Sequence, residues 1–437
     1  EGNTITHCAI GVKGNSANIQ SLENLFTTDP NEVWLPYYTG QTEFPLENKM
    51  NVGILTNNST VLFDQGSTYS KIWNGVESNS SLIQVEVSNF TDIIPYNNQY
   101  QMYGNSILTK DPGGSKFSNL NGNTMNDCGT GIRIIGSRTL AQGNEMKEMD
   151  YGIVSTNTSA PIDITENEIE SKIYGIHLNS NTGSWKKIWN NNPLTNIGNQ
   201  NIDDGCIYID NSRAITTVKG NYMNVQGGIF GFRITPGIPA YVNNNTGVLT
   251  NSFRSHGYGF HLNGNRSNLA CNTAFGPSST NKDLFGYQLT MANANFNCNL
   301  STGGRRGFNV SGSNQASSFK GNEIGGNYGL LVEENASLGI SANLVHQGNC
   351  WPGSNIKDAL NKNQVFVNVN SSQFTVDQEE NNCYLPVWEA QGDWFDIQPN
   401  QSSSYVCGSL CPNGGVGAGI GPEVCDYADE IVPLVSG

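Results

Sequence analysis

Asn144–Gly152 reads NEMKEMDYG, and Asn167–Gly175 reads NEIESKIYG. In both, an asparagine stands eight residues before a glycine, with Met146 or Ile169 two residues after the asparagine. The same offset returns at Asn3–Gly11 (NTITHCAIG), Asn123–Gly131 (NTMNDCGTG), Asn251–Gly259 (NSFRSHGYG) and, more loosely, Asn299–Gly307. Apolar pairs separated by one residue follow the glycines: Ile132 and Ile134, Ile176 and Leu178, Phe260 and Leu262. Gly131, Gly152 and Gly175 are 21 and 23 residues apart, and Gly259, Gly286, Gly307 and Gly329 are 27, 21 and 22 apart. Alternation with a period of two in short runs describes strands, whereas a helical repeat needs a 3.6-residue pattern. A strand-and-turn unit that recurs every 21–27 residues cannot bury its apolar face alone, and stacking on its neighbours solves that. The predicted fold is all-β, a right-handed parallel β-helix or solenoid.

Within a coil, the residue two after the asparagine and the apolar pair after the glycine are expected to face inward. Asparagine and glycine tolerate left-handed backbone angles, so both are assigned to turns. The asparagine amide is expected to hydrogen-bond to its equivalent one coil away. The pattern places the β-helix over residues 1–349. Lateral loops are expected at about 28–68, 94–118 and 179–200, where proline, tyrosine or tryptophan interrupt it. Residues 350–437 are expected to form a small cysteine-containing capping or linker module.

Composition narrows the function. Charged residues are only 14% of the 437, but 17 Phe, 17 Tyr and 7 Trp are too much apolar material for a disordered chain. A net charge of −15 opposes binding to nucleic acid, whose phosphates need a basic surface. No apolar run approaches the ~20 residues of a membrane-spanning helix. The chain begins at Glu1 rather than Met, and we expect a processed product or a fragment of something longer. Ten cysteines without metal-ligand spacing favour an oxidising, extracellular location and no metal or other cofactor. Cys271 and Cys298 are separated by 27 residues, as Gly259 and Gly286 are, so they should stack on adjacent coils. They are either a packed apolar pair or a disulfide.

Because β-helices often cleave acidic polysaccharides, acid–base clusters matter. Asp203, Asp204 and His256, with Arg233-Ile234, are similar to pieces of the polygalacturonase active site, and an inverting hydrolase needs clustered carboxylates. The upstream Asn-Thr-Asp element is missing, and the Arg-Ile pair precedes the histidine. The three residues are therefore catalytic candidates only under the alternative of a carbohydrate-active hydrolase, lyase or tailspike-like depolymerase, and the chain is expected not to be an enzyme.

Three stretches carry a family resemblance. They are Leu269-Ala-Cys-Asn-Thr273 through Phe285-Gly-Tyr287 and Asn297-Cys298; Asn322 to Gly329-Leu-Leu331 with Leu344-Val-His-Gln-Gly-Asn-Cys-Trp351; and Asp393-Trp-Phe-Asp-Ile-Gln-Pro399 through Ser404-Tyr-Val-Cys407. Together they cover about residues 120–410 and resemble the secreted β-helix surface proteins of Bacteroidota exported by the type IX system. The resemblance implies a non-catalytic cell-surface adhesin or a structural filament or appendage component. Its expected partners are other copies of itself or another surface protein, with surface glycans or a prey or host cell surface as further ligands.

Overall fold

The computed structural model describes residues 2–6, 10–27, 52–59, 61–93, 97–98, 101–102, 104–198, 203–250, 256–277, 283–338, 347–351, 357–364, 369, 372–377, 386–390, 394–398 and 407. Over these residues the chain is a parallel β-solenoid, divided into two compact units, Glu1–Thr195 and Asn196–Gly437. No helix among the described residues is long and apolar enough to cross a membrane.

In the first unit a coil consists of a long strand, a turn, a second strand, a tight turn and a short third strand. One such coil is Val52–Asn57, Val61–Gln65 and Thr68–Ser70. Each strand pairs in parallel with its equivalent one coil on: Ile54 with Val76, Leu62 with Ile83, and Tyr69 with Phe90. In Glu145–Thr156 and Glu168–Asn179 the third strand runs directly into the next long strand. The second unit repeats the plan, with long strands Gly205–Asp210, Phe230–Ile234, His256–Asn263, Asp283–Thr290, Arg306–Ser311, Tyr328–Val332 and Lys357–Asn361.

The asparagines form ladders through the tight turn before the third strand. Asn123, Asn144, Asn167 and Asn191 are linked in the first unit, each amide Nδ2 donating to the next Oδ1 at 2.8–2.9 Å. Asn221, Asn245, Asn272, Asn299, Asn322 and Asn349 do the same in the second, at 2.8–3.1 Å. Each Oδ1 also accepts the previous ladder residue's backbone N–H, as Asn272 Oδ1 does from Asn245 at 3.0 Å. All these asparagines are buried. The second amide hydrogen goes to a main-chain carbonyl, as from Asn272 to Val242 O at 2.6 Å, so the side chain leaves no donor unpaired. The left-handed angle falls one residue earlier than the sequence suggested: Gly122, Gly143, Glu166, Asn244, Cys271 and Cys298 have positive φ, and the ladder asparagine itself does not. Its side chain, not its backbone freedom, fixes the residue type.

The coils around residues 61–91 replace the asparagine by serine. There Ser67 Oγ donates to Asp64 Oδ1 at 2.7 Å and Ser88 Oγ to Asp64 Oδ2 at 2.9 Å. Burial pushes the Asp64 carboxyl up, and the serine hydroxyls oppose that shift.

The repeat glycines also act differently from expectation. Gly131, Gly152, Gly259, Gly286 and Gly307 do not have positive φ. Within each unit they stack so that a Cβ would strike the glycine carbonyl of the next coil; at Gly152 that oxygen is 2.4 Å away and Ile169 Cγ2 is 2.5 Å away. The requirement is close backbone approach. The inward residues agree with the sequence pattern: Met125, Met146, Ile132, Ile134, Ile176, Leu178, Phe260 and Leu262 are buried. Aromatic rings at the position two after the ladder residue stack along the core, with Phe26, Tyr69 and Phe90 4.8 and 4.7 Å apart.

Several boundaries change. Val52–Asn57, Val61–Gln65, Asn105–Lys110 and the start of Phe117–Asn121, expected in loops, are coil strands in regular register. Within the expected loop 94–118, Asn97–Asn98 and Gln101–Met102 pair antiparallel, unlike the coil strands, and the expected loop residues 28–51 lie outside the described ones. Residues 179–198 are also a coil, with strands Lys186–Trp189 and Leu194–Asn196. A lysine at an inward position concealed it. Lys186 is fully buried, its ammonium donating to the carbonyls of Ala160, Ser184 and Thr182 at 2.5, 2.9 and 3.3 Å, and burial pushes its pKa down to about 8.

Asn251 lies outside the described residues, and Asn245 holds the ladder position of its coil; the eight-residue offset from Asn251 to Gly259 is therefore coincidental. Asn3 bonds to Asn24 as expected, at 3.1 Å. The repeat also passes the expected boundary at 349, because Lys357–Asn361 pairs with Tyr328–Val332 and then with Trp388–Glu389.

Cys271 and Cys298 do stack in register, Cys271 N donating to Asn297 O at 3.0 Å, but they are not bonded to each other. Cys298 is bonded to Cys407, with Cα atoms 5.7 Å apart. Side chains stacked in register run side by side, whereas a bridge needs converging Cβ vectors, which the tail supplies. Cys271 and Cys350 are disulfide-bonded as well, while Cys128 and Cys206 are buried free thiols. Non-reducing peptide mapping should yield a linked Cys298–Cys407 peptide that separates on reduction; a Cys271–Cys298 peptide would contradict the register argument.

Candidate functional site on the outer face of the second unit

In the long strands, the residue before the column glycine and the residue two after it meet on the outer face. Tyr258 and His261 have ring centroids 4.8 Å apart, the Arg233 guanidinium lies 5.6 Å from the Phe230 centroid, and Arg306 donates to Asn309 at 3.1 Å. Parallel register turns these pairs into two columns. One runs Phe230, Tyr258, Phe285, Arg306 and Tyr328; the other runs Arg233, His261, Gln288, Asn309 and Leu331. Tyr258 stacks on Phe285 at 5.2 Å, and Arg306 covers the same ring at 4.9 Å. Asn309 donates to Gln288 Oε1 at 2.6 Å. Arg233, Tyr258, His261, Arg306 and Tyr328 are partly exposed on this face, and Phe230, Phe285, Gln288, Asn309 and Leu331 are buried among them.

Its carboxylates are turned onto cations. Asp203 pairs with Arg233. Arg306 lies between Asp283 and Glu333, at 3.6 and 2.9 Å, and Arg305 and Lys362 complete the pairs at 2.5 and 2.7 Å. A glycosidase needs an open gap between two carboxyls for the sugar or a water. Here the Arg306 guanidinium fills that gap. Among the described residues no group of three or more potential ligands could hold a metal.

Compared with known proteins, the chain matches no family model and no curated relative.

The residues singled out in the sequence separate in space. Asp203 and Arg233 meet on the outer face. Asp204, the next residue, is buried, and its backbone carbonyl accepts from Ile229 and Phe230 at 2.9 and 3.3 Å. His256 stands in register with Asp283, 6.1 Å from the Tyr258 ring centroid. It is two coils from Asp203, roughly 10 Å at the inter-strand spacing. The three do not form one acid–base cluster.

What the sequence reading missed is the set Tyr258, His261, Asp283, Phe285, Arg306 and Glu333. The available signal was the tetrapeptide aromatic–Gly–aromatic–polar, in Phe230-Gly-Phe-Arg233, Tyr258-Gly-Phe-His261 and Phe285-Gly-Tyr-Gln288, whose outer members were passed over for the inner ones.

Burial, reinforced by Arg233, holds the His261 pKa down at about 3, so the ring is neutral near pH 7. Burial raises the Tyr208 phenol to about 12, helped by the Asp210 charge. Because the folded-state pKa of His261 lies below its unfolded value of about 6.5, His261 contributes stability above pH 6.5. That contribution declines as pH falls towards 3. His261→Gln should flatten the loss of thermal stability between pH 6.5 and 4, read as the slope of Tm against pH; an unchanged slope would assign the acid sensitivity elsewhere.

Proposed function

We propose that the chain is an extracellular, non-catalytic adhesin, exported by the type IX route like the Bacteroidota proteins it resembles, that holds carbohydrate on the outer face of Asn196–Gly437. The carrying observation is the Arg306 guanidinium lodged between Asp283 and Glu333, which takes the space a hydrolase leaves for substrate. The partly exposed Tyr258 ring, backed by the buried Phe285, suits the C–H face of a sugar, and the Arg233 and Arg306 guanidinium groups suit hydroxyls and carboxylates. Two observations fit export: bonded cysteines at 271, 298, 350 and 407, and a net charge of −15. A filament role predicts concentration-dependent assembly of purified protein in sedimentation.

A glycan array probed with the purified chain tests the binding. We expect a restricted set of glycans to be retained, with Tyr258→Ala and Arg306→Gln each weakening retention at least tenfold. Retention that both variants leave untouched would move the site away from this face. No retention at all would remove carbohydrate from the proposal.

A further inference from the structure

We infer that the first unit carries a second, independent glycan site, specific for anionic sugars, built on Trp185, Lys187 and Trp189. These three residues alternate with Lys186 and Ile188 along the strand Lys186–Trp189 and its leading residue, so they share the outer side. The inner two are fully buried. Lys186, tied to three carbonyls at 2.5–3.3 Å, holds the strand in place and gives the outer trio a rigid base. The two indoles lean towards each other over Lys187, whose ammonium is close to both ring centroids. Both indoles and Lys187 are partly exposed.

The Lys187 ammonium lies 4.7 Å from the Trp185 centroid and 4.5 Å from the Trp189 centroid, so it is centred between the rings. Its carboxylate neighbour, Asp163, is at 4.0 Å, the outer limit of an ion pair. An anionic group on a ligand can displace so loose a partner. In the register of Trp185, Arg138 stands two coils back and Phe117 three, with the Arg138 guanidinium 5.4 Å from the Phe117 centroid. Gln142 shares the outer side of the Arg138 coil, Asn119 and Asn121 that of the Phe117 coil, and Pro161, Asp163 and Thr165 occupy the coil between Arg138 and Trp185.

Planar apolar rings take the C–H face of a sugar, the cation takes its carboxylate or sulfate, and amides take hydroxyls. A single-stranded nucleic acid also offers rings and anions. The net charge of −15 disfavours it, since one phosphate per nucleotide must be neutralised along the strand.

Affinity electrophoresis of the full chain tests the site, with polygalacturonate, alginate and chondroitin sulfate as polyanions, methyl-esterified pectin as the neutral control and oligo-dT as the nucleic-acid control. At least one polyanion should retard the wild-type chain and shift its tryptophan emission. Lys187→Gln should weaken that retardation at least fivefold, and Trp185→Ala/Trp189→Ala at least tenfold. Circular dichroism and Tm establish that the variants are folded, and Lys187→Gln keeps both indoles. The second-unit variants Tyr258→Ala and Arg306→Gln should retain the emission shift, which separates this site from the face proposed above. Retardation unchanged in Lys187→Gln and the double variant, equal retardation by esterified pectin, retardation by oligo-dT alone, or none by any polyanion would each overturn the inference.

Discussion

Asn272→Ala should lower the stability of the second unit by about 3 kcal/mol, seen as a fall in the urea midpoint. The side chain donates to Val242 O at 2.6 Å and to Asn299 Oδ1 at 3.0 Å, and accepts from the Asn245 backbone and amide at 3.0 and 2.9 Å. Alanine leaves the Asn245 N–H and the Val242 carbonyl without these partners in a site closed to water. Each buried orphan costs about 1–3 kcal/mol. Asn272→Asp keeps the acceptor but loses both donors and buries a charge, so it should be at least as damaging at neutral pH. A buried aspartate has a folded-state pKa raised above its unfolded value, so that damage should lessen as pH falls. Asn243→Ala, outside the ladder, should change stability by no more than about 0.5 kcal/mol. Equal effects at 272 and 243 would mean that the ladder is incidental.

Gly152→Ala should cost the first unit about 3 kcal/mol although it adds one methyl group. The new Cβ would lie 2.4 Å from the Gly175 carbonyl oxygen and 2.5 Å from Ile169 Cγ2. The carbonyl belongs to the adjacent coil and cannot rotate away, so two coils must separate locally. Gly113→Ala is the matched control: its nearest neighbour would be Asp111 Oδ1 at 3.7 Å, and its stability should stay within about 0.5 kcal/mol of wild type. A small effect at Gly152 would show that the coils accommodate side chains there, and the close-approach explanation of the repeat glycine would fail.

These two residues also show what was legible in the sequence. A ladder amide must donate and accept at once, and few side chains do both at that length, so the asparagine recurs visibly. Recurrence revealed the parallel coil but not the reason for each residue. The glycine was attributed to turns, because a missing Cβ and a left-handed angle leave the same letter in the sequence.

Coils that meet the same need with other chemistry were hidden. Ser67 and Ser88 close the ladder through Asp64, and Lys186 serves a position that elsewhere is apolar. The outer site was harder still. Asp203 and Asp204 are adjacent, but one reaches Arg233 on the surface while the other is buried. Tyr258 and Phe285 meet only because coils separated by 27 residues fall in register, a property of the stack rather than of either segment.

The functional account is tested most directly by product analysis on a retained glycan. The chain is incubated with that glycan for hours at neutral pH, and new reducing ends and unsaturated ends are counted against a heat-treated control. We predict glycan bound and none cleaved. Ends that accumulate with time, and that disappear in Asp203→Asn or Asp283→Asn, would contradict the adhesin and establish a carbohydrate-active enzyme.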